Sequence, residues 1–493
     1  MKRPLQPSIR IAVGILAFLA CVLLAVTESS AEEPRLTASP GAFRFASVKE
    51  PLFWEQALDL ALWASDGGKG SEGVKSEENP TEAIRGAIRG GIIEMLALPA
   101  WLEITDEGEK AAFVLEFMHK RYLVAYSERQ TRLDTLIRTG RFNCVSSASL
   151  YLIFGAAAGL DVAGVMTKDH AFCSVVSDGL RVDVETTSPY GYDPGSRKEF
   201  QDSFGRATGF AYVPPKNYRD RTPIGQKELL SLILSNRIVD LESSGTFYQA
   251  VGLALDRWVL LGTPEGSVFE DLIIRMVNYA ASLAKAGKEI AALDWSVRAI
   301  EAFGPHARWD ELVGSASNNL LVGLIRKRRI SDARSELERL RPGLTVRAAR
   351  DLDFLVGDAE LTVAAEESDF ASALLTVASA KVAGIPDPTR IREIEVYVWL
   401  KESGRIAQAE GWASAIAAAE RATTVVGPDR RIADALRVYR NNRMAELHNT
   451  FVAFYNAGRY QEAKEAAVAA LYEFPGEARL KADLNSAEKA LLR

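Results

Sequence analysis

From about residue 266 onward the sequence stops offering strands. Valine-rich runs bounded by turns give way to alanine-rich segments of helical period, in lengths that suit paired helices. The stretch AGRYQEAKEAAVAALYEFPG (457–476) shows the pattern most fully: Gly458, Tyr460, Ala463, Ala470, Leu471 and Pro475 supply small, aromatic and helix-stopping residues in order. Weaker copies share its phase, at Gly287, Ala292 and Ala299; Ile330 and Ala333; Phe370, Ala373 and Ala380; and Gly404, Ile406 and Ala409. A small residue where two antiparallel helices touch lets them approach, and an aromatic fills the gap to the next pair. A chain built this way is committed to stacked helices over its C-terminal half, whatever precedes them.

That phase resembles the tetratricopeptide-repeat superfamily over roughly the last 220 residues, closely in the final copy and loosely in the others. The spacing is longer and less regular than the usual period of about 34 residues. The resemblance implies an all-α solenoid over 266–493 whose concave face takes a protein or peptide. A generic helical bundle is the competing reading. Trp258, Trp295, Trp309, Trp399 and Trp412 read as packing between these helices rather than as a ligand box.

The N-terminus carries a different instruction. Lys2, Arg3 and Arg10 precede an apolar run from Ile11 to Val26, and Ser29-Ser30-Ala31 follows. That is the order of a secretory signal cleaved after Ala31, which predicts export to the periplasm or cell envelope. An uncleaved segment would be the only membrane attachment. A lipid attachment at Cys21 fits poorly, because apolar residues continue past it. With 493 residues, 25% of them charged, a net charge of −6 and no basic patch, the chain has no feature expected of a nucleic-acid binder.

Between these ends lies an α+β region. Helical patterns occupy 51–65, 80–99 and 106–122, with a glycine- and charge-rich loop at 67–80. DVAGVMT (161–167), HAFCSVV (170–176) and LRVDVETT (180–187) then read as an antiparallel meander. Just before it, GRFNCVSSASLYLIFGAAAGL (140–160) places Cys144 at a helix start, where unpaired N–H groups and the helix dipole favour an anion. Asn143 reads as the helix cap.

A cysteine nucleophile needs an imidazole. The four histidines are His119, in an upstream helix, His306 and His448, in the repeat region, and His170, at the head of a strand 26 residues after Cys144. His170 is the one placed to reach a helix start. An acid must then orient it. Asp183 and Glu185 lie two apart on the next strand and share a face. Glu185, beside the turn into Ser188-Pro189, is preferred, with Asp183 as the fallback. Two other readings of Cys144 stand beside this one: a buried structural thiol, or a disulfide with Cys173. Residues three apart on a strand face opposite ways, so a His170 aimed at Cys144 would turn Cys173 away from it. The same argument disfavours a zinc site. Tyr190, Tyr192 and Asp193-Pro194-Gly195 form a turn, either at the cleft mouth or in packing.

Cys144 at a helix start, His170-Ala171-Phe172 opening one strand and Glu185-Thr186-Thr187 closing the next resemble the transglutaminase-like cysteine-protease superfamily, over roughly residues 105–200. Val145, Glu185 and Thr186 depart from its usual pattern, in which the acid is Asp and is followed by Pro. The resemblance implies a papain-like α+β domain at 32–215, followed by a helical connector at 216–265 and the repeats. It implies thiol acyl transfer by Cys144, His170 and Glu185 (or Asp183), to water or to an amine, with no metal or organic cofactor. A domain of the same shape that only binds peptide is the alternative.

Overall fold

The computed structural model describes residues 33–67, 80–195, 198–209 and 221–492. The expected secretory segment, Cys21 and nearly all of the 67–80 loop lie outside these residues. Helices dominate, with a small antiparallel sheet. The first helices are α1 (Pro40–Ala46), α2 (Trp54–Asp66), α3 (Pro80–Ala97), α4 (Pro99–Glu103) and α5 (Glu107–Arg121). There follow β1 (Ala125–Tyr126), α6 (Leu133–Thr139), β2 (Arg141–Phe142) and α7 (Cys144–Ala157). The sheet strands are β3 (Val162–Met166), β4 (Ala171–Ser177), β5 (Leu180–Val184) and, after α8 (Lys198–Thr208), β6 (Thr222–Ile224). Next come α9 (Gln226–Ser243), α10 (Phe247–Leu260) and α11 (Ser267–Lys285).

The chain divides into two compact units. One comprises residues up to Gly287 together with Arg298–Arg308, and the other Lys288–Val297 together with Trp309–Arg493. In the first, α7 is the central element. Its residues from Val145 to Gly155 are all buried, as expected of a helix that is apolar on every side. It packs against α2, α5, α6 and α9 and lies on β3 and β4. Its start is fixed locally. Gly140 ends α6 with φ +68°, a conformation open to glycine. Asn143 Oδ1 then accepts from the Ser146 N–H, and Ser146 Oγ accepts from the Asn143 N–H, each at 2.9 Å, a reciprocal cap. The parallel pairing of Tyr126 with Phe142 sets β1 beside the same helix start.

The sheet order is β5-β4-β3-β6, antiparallel throughout. The expected three-strand meander is there, with β6 added at its far edge. The third strand is shorter than its sequence suggested. It ends at Val184, and residues 185–191 turn back so that the Glu185 N–H donates to the Gly191 carbonyl at 2.8 Å. The segment read as a connector contributes β6 and α9 to the first unit's core, where Leu229, Leu230, Ile233 and Leu234 are buried.

The second unit is helical throughout its described residues. After α11, which belongs to the first unit, come α12 (Glu289–Phe303), divided between the units after Val297, α13 (Ala307–Arg326), α14 (Ile330–Leu340), α15 (Val346–Glu367), α16 (Phe370–Ala383), α17 (Pro388–Ala409), α18 (Trp412–Val426), α19 (Arg430–Asn456), α20 (Tyr460–Glu473) and α21 (Ala478–Leu491). Successive helices pack on one another through small residues. Ala333 lies among Leu321, Leu337, Leu352 and Val356, and Ala463 and Ala467 lie against Phe451 and Ala487. Ala373, Ala380 and Ala470 are also buried, whereas Ala409 is exposed, so the copy at Gly404 does not use its alanine in this way. Trp295, Trp309 and Trp399 are buried as packing residues. Among the described residues no helix is long and apolar enough to cross a membrane.

Candidate functional site

Cys144 is the first residue of α7 and is partly exposed. His170 immediately precedes β4, in the turn closed by the Thr167 N–H to the His170 carbonyl at 2.8 Å. Because it stands outside the paired residues, strand alternation does not fix its direction. Its imidazole lies near enough to the Cys144 side chain for the two to interact electrostatically, and its Nε2 lies 2.6 Å from Glu185 Oε2. With Nε2 committed to Glu185, Nδ1 is the nitrogen left for the thiol. Phe172 stacks on the ring and Phe204 of α8 meets it edge-on.

Glu185 is 2% exposed, and a buried carboxylate must have its oxygens satisfied. Oε1 accepts from the Thr187 N–H at 3.2 Å and from the Thr187 hydroxyl at 2.8 Å, while Oε2 meets His170. The second threonine of the Glu-Thr-Thr run therefore locks the carboxylate. Burial alone would push the His170 imidazolium down. The Glu185 charge, with its hydrogen bond to the ring and the nearby Cys144 side chain, outweighs it, and the group is held charged well above its ordinary range.

Asp183 does not serve as the acid. Its carboxylate pairs with both terminal nitrogens of Arg221, whose guanidinium also stacks on Phe172. The pair ties β5 to the start of β6 across the sheet, and it consumes the geometry a histidine would need. Cys173 also corrects the sequence argument. The strand face that carries it packs on α7, and its Sγ lies 3.4 Å from the Ala148 carbonyl. Cys173 does face the helix, one turn beyond Cys144. Both thiols are free, and burial pushes the Cys173 thiol well up. His306 pairs with Glu270 and His448 with Asp483.

A cleft of about 780 Å³ opens over Cys144 and His170. Tyr126, Glu128 and Arg129 form one side, the 166–170 turn another, and Leu232, Ser235, Asn236, Val239 and Asp240 of α9 a third. The α9 wall was invisible in the sequence, where this helix read as a connector. Burial, together with the negative charges of Cys144, Glu128 and Glu185, pushes the Tyr126 phenol up and keeps it protonated. Asn143 is used as a cap and donates from Nδ2 to the Glu128 carbonyl at 3.0 Å. Tyr190 and Tyr192 are not among the cleft residues; Tyr192 instead bridges to Val184.

No protein-family model matches the chain, and no curated protein matches it. The reading of the site rests on its own geometry. One further residue at the site was passed over in the sequence: His119, from α5, whose Nε2 lies 3.1 Å from the Thr186 carbonyl. Nothing in its local sequence marked it, since it sits among the basic residues of a helix's last turn.

Proposed function

We propose that the first unit is a transglutaminase-like thiol acyl-transfer domain, exported to the cell envelope, and that the second is a tetratricopeptide-type solenoid that recruits a protein or peptide. The observation that carries the reading is the meeting of Cys144 and His170 in the lining of one open cleft, with Glu185 hydrogen-bonded to the imidazole behind them. Cys144 Sγ attacks a carboxamide carbon and forms the C–S bond as the carbonyl π electrons move onto oxygen. The N–H groups of Cys144 and Val145, in the first turn and without intrahelical acceptors, are the donors available to hold that oxyanion. Collapse breaks the C–N bond, and the His170 imidazolium gives its proton to the departing amine. Neutral His170 then takes a proton from water or from an acceptor amine as it attacks the thioester. Cys144 leaves as thiolate and the imidazolium is restored. Glu185 keeps the ring aligned throughout.

The test is covalent labelling of the intact protein with a thiol-directed acyl probe, followed by mapping of the modified residue. Labelling confined to Cys144, and reduced at least tenfold in His170→Ala, is the expected result. Equal labelling of the two proteins would leave a peptide-binding cleft without chemistry.

A further inference from the structure

The cluster around Thr186 is joined to the site by contacts that the acyl-transfer scheme does not use. The Thr186 carbonyl can only accept, so the His119 Nε2 facing it at 3.1 Å carries the hydrogen and donates. The Thr186 hydroxyl lies 2.8 Å from Ser147 Oγ, and Ser147 Oγ donates to the Cys144 carbonyl at 3.2 Å. Thr186 and Ser147 are fully buried. Thr186, the residue that follows Glu185, is therefore gripped from two sides. His119 of α5 holds its carbonyl, and Ser147 of α7, one turn from the nucleophile, holds its side chain. The His119 ring is itself fixed by Phe142, which meets it edge-on with centroids 5.9 Å apart.

We propose that His119 is a positioning residue: by holding the Thr186 carbonyl it fixes the Glu185 backbone, and through Glu185 it keeps His170 aligned on Cys144. The proposal rests on the acyl-transfer reading of Cys144 and His170. A carboxylate that meets its histidine at 2.6 Å makes a longer and weaker contact as its backbone drifts, and beyond about 3.2 Å the bond is lost. Glu185 has few means of correction, because its other oxygen is tied to Thr187 in the same turn. The neutrality of His119 belongs to the design. Burial pushes its imidazolium down to about 4, against the opposing pull of the Thr186 carbonyl and the Glu185 charge. A cation at this point would compete with His170 for Glu185, whereas a neutral N–H holds the backbone without competing.

The groups facing His170 are Cys144 and Glu185, with the rings of Phe172 and Phe204. Those facing His119 are the Thr186 carbonyl, the Glu185 charge and Phe142. The His170 titration is therefore a direct reading of how well Glu185 is placed. The experiment measures it by NMR of the full chain, alongside the rate of Cys144 alkylation by iodoacetamide, in His119→Leu and His119→Gln. Leucine removes the donor, while glutamine places an amide N–H near the Nε2 position. In H119L the His170 midpoint is expected to fall by about one pH unit and the alkylation rate at neutral pH by about tenfold. H119Q should stay within about twofold of the parent, since one well-placed neutral donor replaces another.

An unchanged His170 midpoint in H119L would overturn the proposal, even if that variant melts earlier, because His119 would then be only structural. A midpoint lowered equally in H119Q would overturn it too. If H119L does not fold, His119→Asn, whose amide is too short to reach the carbonyl, takes its place with the same expectation. Failure of the acyl-transfer reading looks different: alkylation of the parent would be indifferent to His170→Ala, whatever His119 does to the His170 titration.

Discussion

Glu185 reaches His170 because the chain leaves β5 just before it. A regular strand would have carried the carboxylate onto the face that Asp183 shares with Arg221. Instead the turn at 185–191 drops it beside the imidazole, and Thr187 fastens it there. The two acids thus make opposite forecasts. Glu185→Gln should lower the His170 titration midpoint by about 1–2 pH units, because the nearest opposite charge is gone. Asp183→Asn should leave that midpoint in place and weaken only the tie between β5 and β6. NMR titration of the single His170 resonance in each variant checks both. Cys144, His170 and both candidate acids were legible in the sequence, since each residue type has a defined chemical task. The preference for Glu185 was legible from its place beside a turn; what was not legible is that the strand stops before it and that Arg221 takes Asp183.

The decisive element is the short return after β5. Gly191 allows it: a Cβ built there would stand 1.8 Å from the Glu185 carbonyl oxygen, a backbone atom that cannot step aside alone. Gly191→Ala should therefore push the turn outward and carry Glu185 with it. Cys144 alkylation at neutral pH should fall by about tenfold or more, while the helical circular-dichroism signal is retained. Alkylation at the parent rate would show that the turn absorbs the methyl without moving Glu185. The start of α7 was readable by contrast. Asn143 and the polar first turn predicted the cap that the structure contains, because capping is a local interaction between residues three apart. The same locality explains why α9 was underestimated. Its polar positions look like solvent contacts until the opposite side of the cleft is in place.

At the scale of the whole molecule, the two site histidines give stability a defined pH dependence. His119 titrates at about 4 when folded against about 6.5 unfolded. Between those values the unfolded chain binds more protons, so stability is lost as pH falls through this window, by about 3 kcal/mol in all. His170 has the opposite sign. Its folded value is raised, so its contribution is fully present below about pH 6.5 and is lost as pH rises through the folded value. Urea unfolding from pH 4 to 9 should show an optimum between the two limbs, and His119→Gln should flatten the acid limb alone. An acid limb of unchanged steepness in that variant would show that other groups dominate it.

Residue order and type alone determined a good deal. The alanine-rich helical phase of the C-terminal half, the helix beginning at Cys144, the three strands after it and the candidate nucleophile, base and acids all follow from short-range rules of period, capping and functional-group chemistry. Tertiary structure decided what those rules cannot reach. It brought His119 from an upstream helix to the Thr186 carbonyl, placed α9 along the cleft, turned Cys173 toward α7 and gave Asp183 to Arg221. Each of these is a meeting of residues distant in sequence, fixed by how α7 is buried among its neighbours, and a pattern read a few residues at a time contains no record of such meetings.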